Sequence, residues 1–407
     1  MSAGEPAPDR QYGPGRPGLL RALNEQAALR ALLAEGSVTR ARIAQLTGLS
    51  KVTASSLIER LETRGLVTSV GTTDGSRGPN AVNYALVPDV CYAVGLDVDP
   101  DRIVAATVDM TGRVAGRVEL DVVSGDPAAA VCLAVQTTME EAGVPLGRVG
   151  QIVVGVPGLV DPVTRDLRFS WDLRDWREGL VDALRERLGR PVAFENDANA
   201  AALAEARLGA AAGVADFLLV SLGRGIGLAL VMGGVIYRGA TGAAGELGFM
   251  PVPGAPAEMT TMRDGSLGGS FQFLVGAANV LEIARDGGIV AGSAAAAVRR
   301  ASAMGPAGAP VLEELARRVA LGIGGLSAAL DPALVILAGD VGRAGGQTLA
   351  RRVELAVARM VPVAPKVVTT AVRTDPVLHG ALLSGLDMVH QKVLGLDGNS
   401  SIVIDSP

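Results

Sequence analysis

The stretch DFLLVSLGRGIGLALVMGGVIY, residues 216–237, reads as three consecutive strands, Phe217–Ser221, Gly227–Val231 and Val235–Tyr237. Each run is apolar and each is followed by a glycine turn, the pattern of a β-meander. The same reading applies to YAVGLDVDPDRIVAATVDMTGRVAGRVELDV, residues 92–122, with strands Tyr92–Asp97, Arg102–Asp109 and Arg113–Val122 parted by turns at Asp99-Pro100 and Thr111-Gly112. Behind it, a helical stretch over Pro127–Ala142, a strand Gln151–Val156, a helix Trp176–Leu188 and a strand Val192–Glu195 complete the order βββαβαβ. Behind the later meander come helices and the strands Leu334–Leu337 and Lys366–Ala371, so the second half repeats the first.

Two such units facing each other make a two-lobed α/β fold, the actin-like (ribonuclease-H-like) ATPase architecture, whose cleft holds nucleotide on one side and a small substrate deeper in. The first lobe is expected over 88–205, the second, with dimerisation elements, over 206–375, and a C-terminal helix returning to the first lobe, then a tail, over 376–407. Upstream the pattern differs. Residues 1–19 are Pro/Gly-rich and read as a disordered tail. Then Leu29, Leu32 and Leu33 share one helical face, Ile43 and Leu46 a second, Leu57 and Leu61 a third. Thr47-Gly48-Leu49-Ser50 supplies a turn between the second and third helices, and Thr39 and Ser50 are suited to cap helix starts. After Arg64-Gly65, the runs Leu66–Val70 and Val82–Leu86 flank a polar turn, Asp74–Asn80, and read as a two-stranded wing. Residues 20–87 are therefore expected to form a winged helix-turn-helix.

Of the 407 residues, 49% are hydrophobic and 19% charged, a composition that excludes a disordered or fibrous chain. No apolar run approaches the roughly 18 residues of a membrane-spanning helix. The first residues lack the apolar core of a signal peptide, and Cys91 and Cys132 alone make neither a disulfide framework nor a zinc cluster. A cytoplasmic protein is expected. The net charge of −5 argues against nucleic acid for the chain as a whole. Its distribution argues otherwise for one module, because residues 16–90 carry nine basic side chains against six acidic ones and leave the remainder acidic. On the third helix Lys51, Thr53, Ser55 and Ser56, with Ser50 at its start, are short polar groups that can reach base edges or phosphates while Leu57 and Leu61 hold the core. Arg77, mounted between Ser76 and Gly78-Pro79 at the wing tip, suits a narrow minor groove.

Five stretches then combine: Gly155-Val156-Pro157-Gly158-Leu159-Val160-Asp161, Glu195-Asn196-Asp197-Ala198-Asn199-Ala200-Ala201, Gly225-Ile226-Gly227, Gly242-Ala243-Ala244-Gly245-Glu246-Leu247-Gly248 and Leu337-Ala338-Gly339-Asp340. Across nearly the whole chain the sequence resembles the ROK family of repressors, open reading frames and sugar kinases, and specifically its repressor branch. Moving the γ-phosphoryl of ATP to a sugar hydroxyl needs a carboxylate base, backbone amides around the phosphates and a metal ion. The resemblance implies that Asp197 stands at the kinase-base position and that Asn196 and Glu246 bind sugar hydroxyls. Asp172 aligns with the Asn of the family's Asn-x-x-Gly-Trp sugar motif, a change that keeps an acceptor and loses a donor. From the residues alone, Asp197 reads equally as a helix N-cap, and the two roles are compatible.

The departures carry more weight than the matches. Family kinases have glycines and a small polar residue in the first meander turn, where this chain has Asp99-Pro100-Asp101. Proline removes an amide donor, and each carboxylate repels a phosphate by about 4 kcal/mol at 4 Å in an effective dielectric of 20, before screening. Arg224 replaces the usual Thr in Gly223-Arg224-Gly225-Ile226-Gly227. Zinc-binding members carry a His at the position of Phe249, followed by three cysteines; Met250–Gly269 holds neither Cys nor His. His379 and His390 read as helix-surface or packed residues.

The expected protein is thus a DNA-binding transcriptional regulator, a repressor of sugar-metabolism genes, whose sugar-kinase-like body serves as effector sensor and dimerisation element without turnover. No catalytic residue, metal or cofactor is expected. The expected partners are a double-stranded operator with an inverted repeat, a sugar or sugar derivative, and a second copy of the chain in a homodimer or homotetramer, with no membrane. One alternative is an ATP-dependent ROK kinase of a hexose or N-acetylhexosamine that carries a DNA-binding extension; another is a constitutive DNA-binding protein.

Overall fold

The computed structural model describes residues 17–73, 81–121, 125–170, 172–173, 175–252, 270–396 and 404. They divide into two compact units: described residues up to Val90 group with those from Asp387 to 396, and Cys91–Leu386 form the second unit with residue 404.

The first unit is a winged helix-turn-helix built from α1 (Pro17–Glu35), β1 (Ser37–Thr39), α2 (Arg40–Thr47), α3 (Lys51–Thr63), β2 (Val67–Thr73) and β3 (Ala81–Leu86). Helix α1 begins at Pro17, inside the segment read as a tail; proline is favoured in a first turn, where no intrahelical N–H bond is lost. Thr39 Oγ1 accepts from Arg42 N and Ser50 Oγ from Thr53 N, each at 3.2 Å, so both expected caps form. Gly48 makes the turn between α2 and α3 in the left-handed region, at φ 69°. The core is Leu29, Leu32, Ile43, Leu57, Ile58 and Leu61, whereas Leu46 is exposed, and Leu33 only half-buried. The wing has three strands, not two: β1 pairs with β3 (Val38 opposite Tyr84) in the order β1-β3-β2. Three residues are too short to show an alternation in sequence. The wing tip 74–80, and Arg77 with it, lies outside the described residues.

The second unit opens with the meander β4 (Tyr92–Val98), β5 (Arg102–Asp109) and β6 (Val114–Asp121), followed by α4 (Pro127–Ala142), β7 (Val149–Val156), a small hairpin β8 (Leu159–Val160) and β9 (Leu167–Phe169), α5 (Leu180–Leu188), β10 (Val192–Asn196) and α6 (Asp197–Leu208). The repeat runs through β11 (Phe217–Leu222), β12 (Ile226–Met232), β13 (Val235–Ile236), α7 (Phe271–Val275), α8 (Ala277–Asp286), α9 (Ala294–Ala303), α10 (Ala309–Leu330), β14 (Leu334–Ala338), α11 (Gly339–Val357), β15 (Lys366–Thr369) and α12 (Pro376–Leu394), whose last turns belong to the first unit.

The internal repeat is literal. In one sheet β4 is central, with β5 and β6 added antiparallel on one side and β7 and β10 parallel on the other. In the other, β11 is central, with β12 and β13 antiparallel and β14 and β15 parallel. This is the expected actin-like pair of sheets. Their central strands are apolar almost without interruption because helices cover both faces. Gly380 of α12 lies so close to α6 that an added Cβ would fall 1.8 Å from the carbonyl oxygen of Ala200. The helix expected from Trp176 starts only at Leu180, since Gly179 takes φ 93° and the Asp166 carboxylate accepts from Gly179 N at 2.6 Å and Val181 N at 3.1 Å. Trp176 instead packs edge-on against Phe194, 6.2 Å between ring centroids.

Candidate functional site

Six parallel strands, three in each sheet, end at one cleft of about 920 Å³, lined from the carboxyl ends of β4, β7, β10, β11, β14 and β15. That is where open α/β sheets place their ligands. Asp97 lies at the end of β4, and Asp99 and Asp101 sit in the turn before β5. Asp172 follows β9, and Asn196 closes β10. Asp197 opens α6, and Glu246 precedes a single 3-10 turn, Leu247–Phe249. The four residues read as sugar-binding therefore line one cleft, together with Asp99 and Asp101 of the β4–β5 turn.

Their local bonds differ in a way the sequence did not show. The helix cap is Asn196, not Asp197: its Oδ1 accepts from Asn199 N at 3.1 Å, while its Nδ2 donates to the Gly158 carbonyl at 3.1 Å. Among the described residues Asp197 accepts from the adjacent Ala198 N alone, at 2.8 Å, through Oδ1. Asp172 pairs with Arg224 of the β11–β12 turn, Oδ2 to Nε 3.2 Å. The Glu246 carboxylate has neither a hydrogen-bond donor nor an ion-pair partner among the described residues. Gln272 of α7 clamps the β11–β12 turn, accepting from Ile226 N at 3.0 Å and donating to Arg224 O at 3.2 Å. Phe249, read from the sequence as the position of a zinc-ligand His, is on the lining.

Burial pushes the Asp197 carboxyl up to about 7, against the Ala198 amide and with help from Asp99, Asp172 and Glu246. Burial pushes Asp97 to about 8, reinforced by Asp99, Asp197 and Asp375 and opposed by Arg102. Asp99 and Glu246 are raised by burial as well. A carboxyl that titrates near neutrality can both donate to and accept from a sugar hydroxyl.

Two features behind the lining went unread in the sequence. Glu195 lies one residue before Asn196, and burial would raise its pKa. Arg165 (2.8 Å) and Arg238 (2.6 Å), reaching it from opposite halves of the repeat, reverse that and hold it below its ordinary value. Glu205 on α6 is fully buried and binds the segment after β15: Oε1 accepts from the Thr370 hydroxyl and from Ala371 N and Val372 N, each 2.9 Å away, and Oε2 from Ala210 N at 2.6 Å. Both lie in the quoted Glu195–Ala201 stretch or just beyond it, but neither a carboxylate at the end of a short strand, as Glu195 is, nor one in an alanine-rich helix, as Glu205 is, carries a pattern that separates burial from solvation. His379 and His390 are both packed, at 5% and 1% exposure.

On the other unit, Lys51, Thr53 and Ser56 are exposed along α3, and Ser55 is half-buried. The Ser50 hydroxyl caps the helix and shares a 2.8 Å hydrogen bond with Thr53 Oγ1. Ser56 Oγ accepts from Arg60 at 3.2 Å.

The ROK family model matches residues 93–385, and a MarR family model matches residues 21–78. A xylose repressor from Bacillus subtilis is 29% identical over 241 residues, 57% of this chain and 61% of that protein. The chain thus spans less than two thirds of the length of the curated relatives it matches. A ROK hexokinase from Thermus thermophilus is 30% identical at a TM-score of 0.60, over 72% of this chain and 97% of its own. A ROK family transcriptional regulator, a homologue of the Escherichia coli MLC protein, superposes with a TM-score of 0.75 over 92% of this chain and 98% of its own, at 18% identity, a likeness of fold alone.

Proposed function

The chain belongs to the ROK family, and on that premise we propose that it is a DNA-binding transcriptional repressor of sugar-metabolism genes whose kinase-like body senses a sugar without phosphorylating it. The observation that carries this reading is the lining of the cleft. Asn196, Asp197 and Glu246 keep a polar set suited to hydroxyls, while Asp99-Pro100-Asp101 sets two carboxylates and an N–H-less residue where a kinase brings backbone amides to phosphate. A sugar finds partners there; a triphosphate meets the carboxylates of Asp99 and Asp101, the first of them faced by Arg102 at 3.9 Å. The winged helix-turn-helix supplies the output, with Ser50, Lys51, Thr53, Ser55, Ser56 and Arg77 as its DNA-facing set. A homodimer would present two such helices about a two-fold axis, which calls for an inverted-repeat operator.

The test uses the full chain. Xylose, for which one relative is named, leads a panel of pentoses, hexoses and N-acetylhexosamines assayed for ADP release from ATP and for release of the protein from an operator selected out of genomic fragments. The expected outcome is sugar-dependent release with no ADP production above background. Robust phosphorylation abolished by Asp197→Asn would overturn the non-catalytic reading, and failure to enrich any DNA would overturn the regulator.

A further inference from the structure

Val52, the second residue of α3, is 80% exposed, although the same helix buries Leu57, Ile58 and Leu61 completely. Single exposed valines are ordinary; the surroundings of this one are not. It stands one helical turn from Ser56 and beside Lys51 and Thr53, on the face away from the buried stripe. Nearby charges are matched: Arg40 faces Glu59 and Glu62, Arg42 pairs with Glu35, and Arg60 and Arg64 pair with Glu25. Lys51 has no carboxylate partner among the described residues. The first two turns of α3 therefore offer a cation without a carboxylate partner among the described residues, the hydroxyls of Thr53 and Ser56 and one exposed aliphatic side chain together, a surface complementary to a polyanion that itself carries apolar groups.

Helix-turn-helix units read base edges with the first residues of their second helix. The apolar group a base edge shows in the major groove is the thymine 5-methyl, whereas serine and threonine hydroxyls accept any base and discriminate little. We infer that Val52 is a specificity-determining residue that reads one thymine per half-site through its 5-methyl group, an inference that rests on the DNA-binding reading above.

The test is a methyl-deletion cycle. The full chain selects its operator from a random duplex library, and each thymine of a half-site is replaced in turn by uracil, which lacks only the methyl. For the parent, uracil at one position should weaken binding about fourfold, the value of ~0.8 kcal/mol for one buried methyl group. In Val52→Ala, a change at an exposed position that leaves the core intact, that penalty should vanish while the remaining positions respond as before. A penalty retained in full by Val52→Ala at every thymine, or a parent indifferent to uracil throughout, would overturn the assignment and leave DNA binding standing. Failure to enrich any duplex would remove both.

Discussion

Asp97 and Asp197 share one cleft with Asp99 and Glu246, and burial sets their protonation. A carboxyl whose folded pKa stands above its unfolded value, about 4, keeps a proton that the unfolded chain has released. The stability tied to that proton is complete below pH about 4 and is lost as pH rises through the folded values of about 8 for Asp97 and about 7 for Asp197. Groups of the opposite kind, such as Glu195 and Glu314, lose their contribution only at lower pH. Thermal unfolding of the ligand-free protein should therefore show Tm falling between pH about 5.5 and 8.5. Asp97→Asn and Asp197→Asn should each flatten the fall and raise Tm at pH about 8.5 by roughly 2–4 °C, the equivalent of ~1 kcal/mol. A parent profile that is flat over this range, or a double variant with the parent's slope, would refute the assignment.

At the scale of elements, Glu205 joins α6, whose first residue is Asp197, to the segment after β15, whose Thr370 and Val372 also line the cleft. Glu205→Ala strips the partner from three backbone amides and a hydroxyl and should cost about 3 kcal/mol in denaturant unfolding, with Glu205→Gln losing about half as much. An alanine variant within ~0.5 kcal/mol of the parent would show the contact to be idle. Nothing in the sequence announces this bond. The meanders were legible because their inner strands, covered on both faces, read as apolar runs closed by tight turns at Asp99-Pro100, Thr111-Gly112, Gly223–Gly225 and Gly233-Gly234, whereas the edge strand β6 alternates between exposed and covered positions. Helix α4 was legible to the residue because Pro127 opens it and Gly143 ends it. The short strands β1, β8 and β9 carry too few side chains for a period to emerge; β13, equally short, was legible only because it follows Gly233-Gly234 in a meander. The late start of α5 depends on Asp166, distant enough in sequence that only the folded chain shows it capturing Gly179 and Val181. Likewise the candidate site was legible as a set of residues, through Asn196, Asp197 and Glu246, but not as a set of bonds: which of Asn196 and Asp197 caps α6 is decided by backbone geometry.

For the whole molecule, the cleft lining lies entirely within 97–377 and α3 within 51–63, in separate units, so on the proposed reading a sugar in the cleft would not compete with DNA for the same side chains. Among the described elements α12 has residues in both units, beginning at the cleft with Pro376 and Val377 and ending at Leu394. If sugar releases DNA without sharing its site, the two ligands are linked through states of the protein, and linkage is reciprocal. A sugar that lowers operator affinity by a factor between about 5 and 150 must bind more weakly by the same factor when operator is saturating. Calorimetric titration of the sugar into the free protein and into the operator complex should return equal factors at matched salt. Asp197→Ala should weaken the sugar in both titrations and leave operator affinity without sugar unchanged. Operator affinity indifferent to every sugar that binds the cleft would identify a constitutive DNA-binding protein. A sugar effect that survives Asp197→Ala together with substitutions at Asn196 and Glu246 would place the sensor outside this cleft.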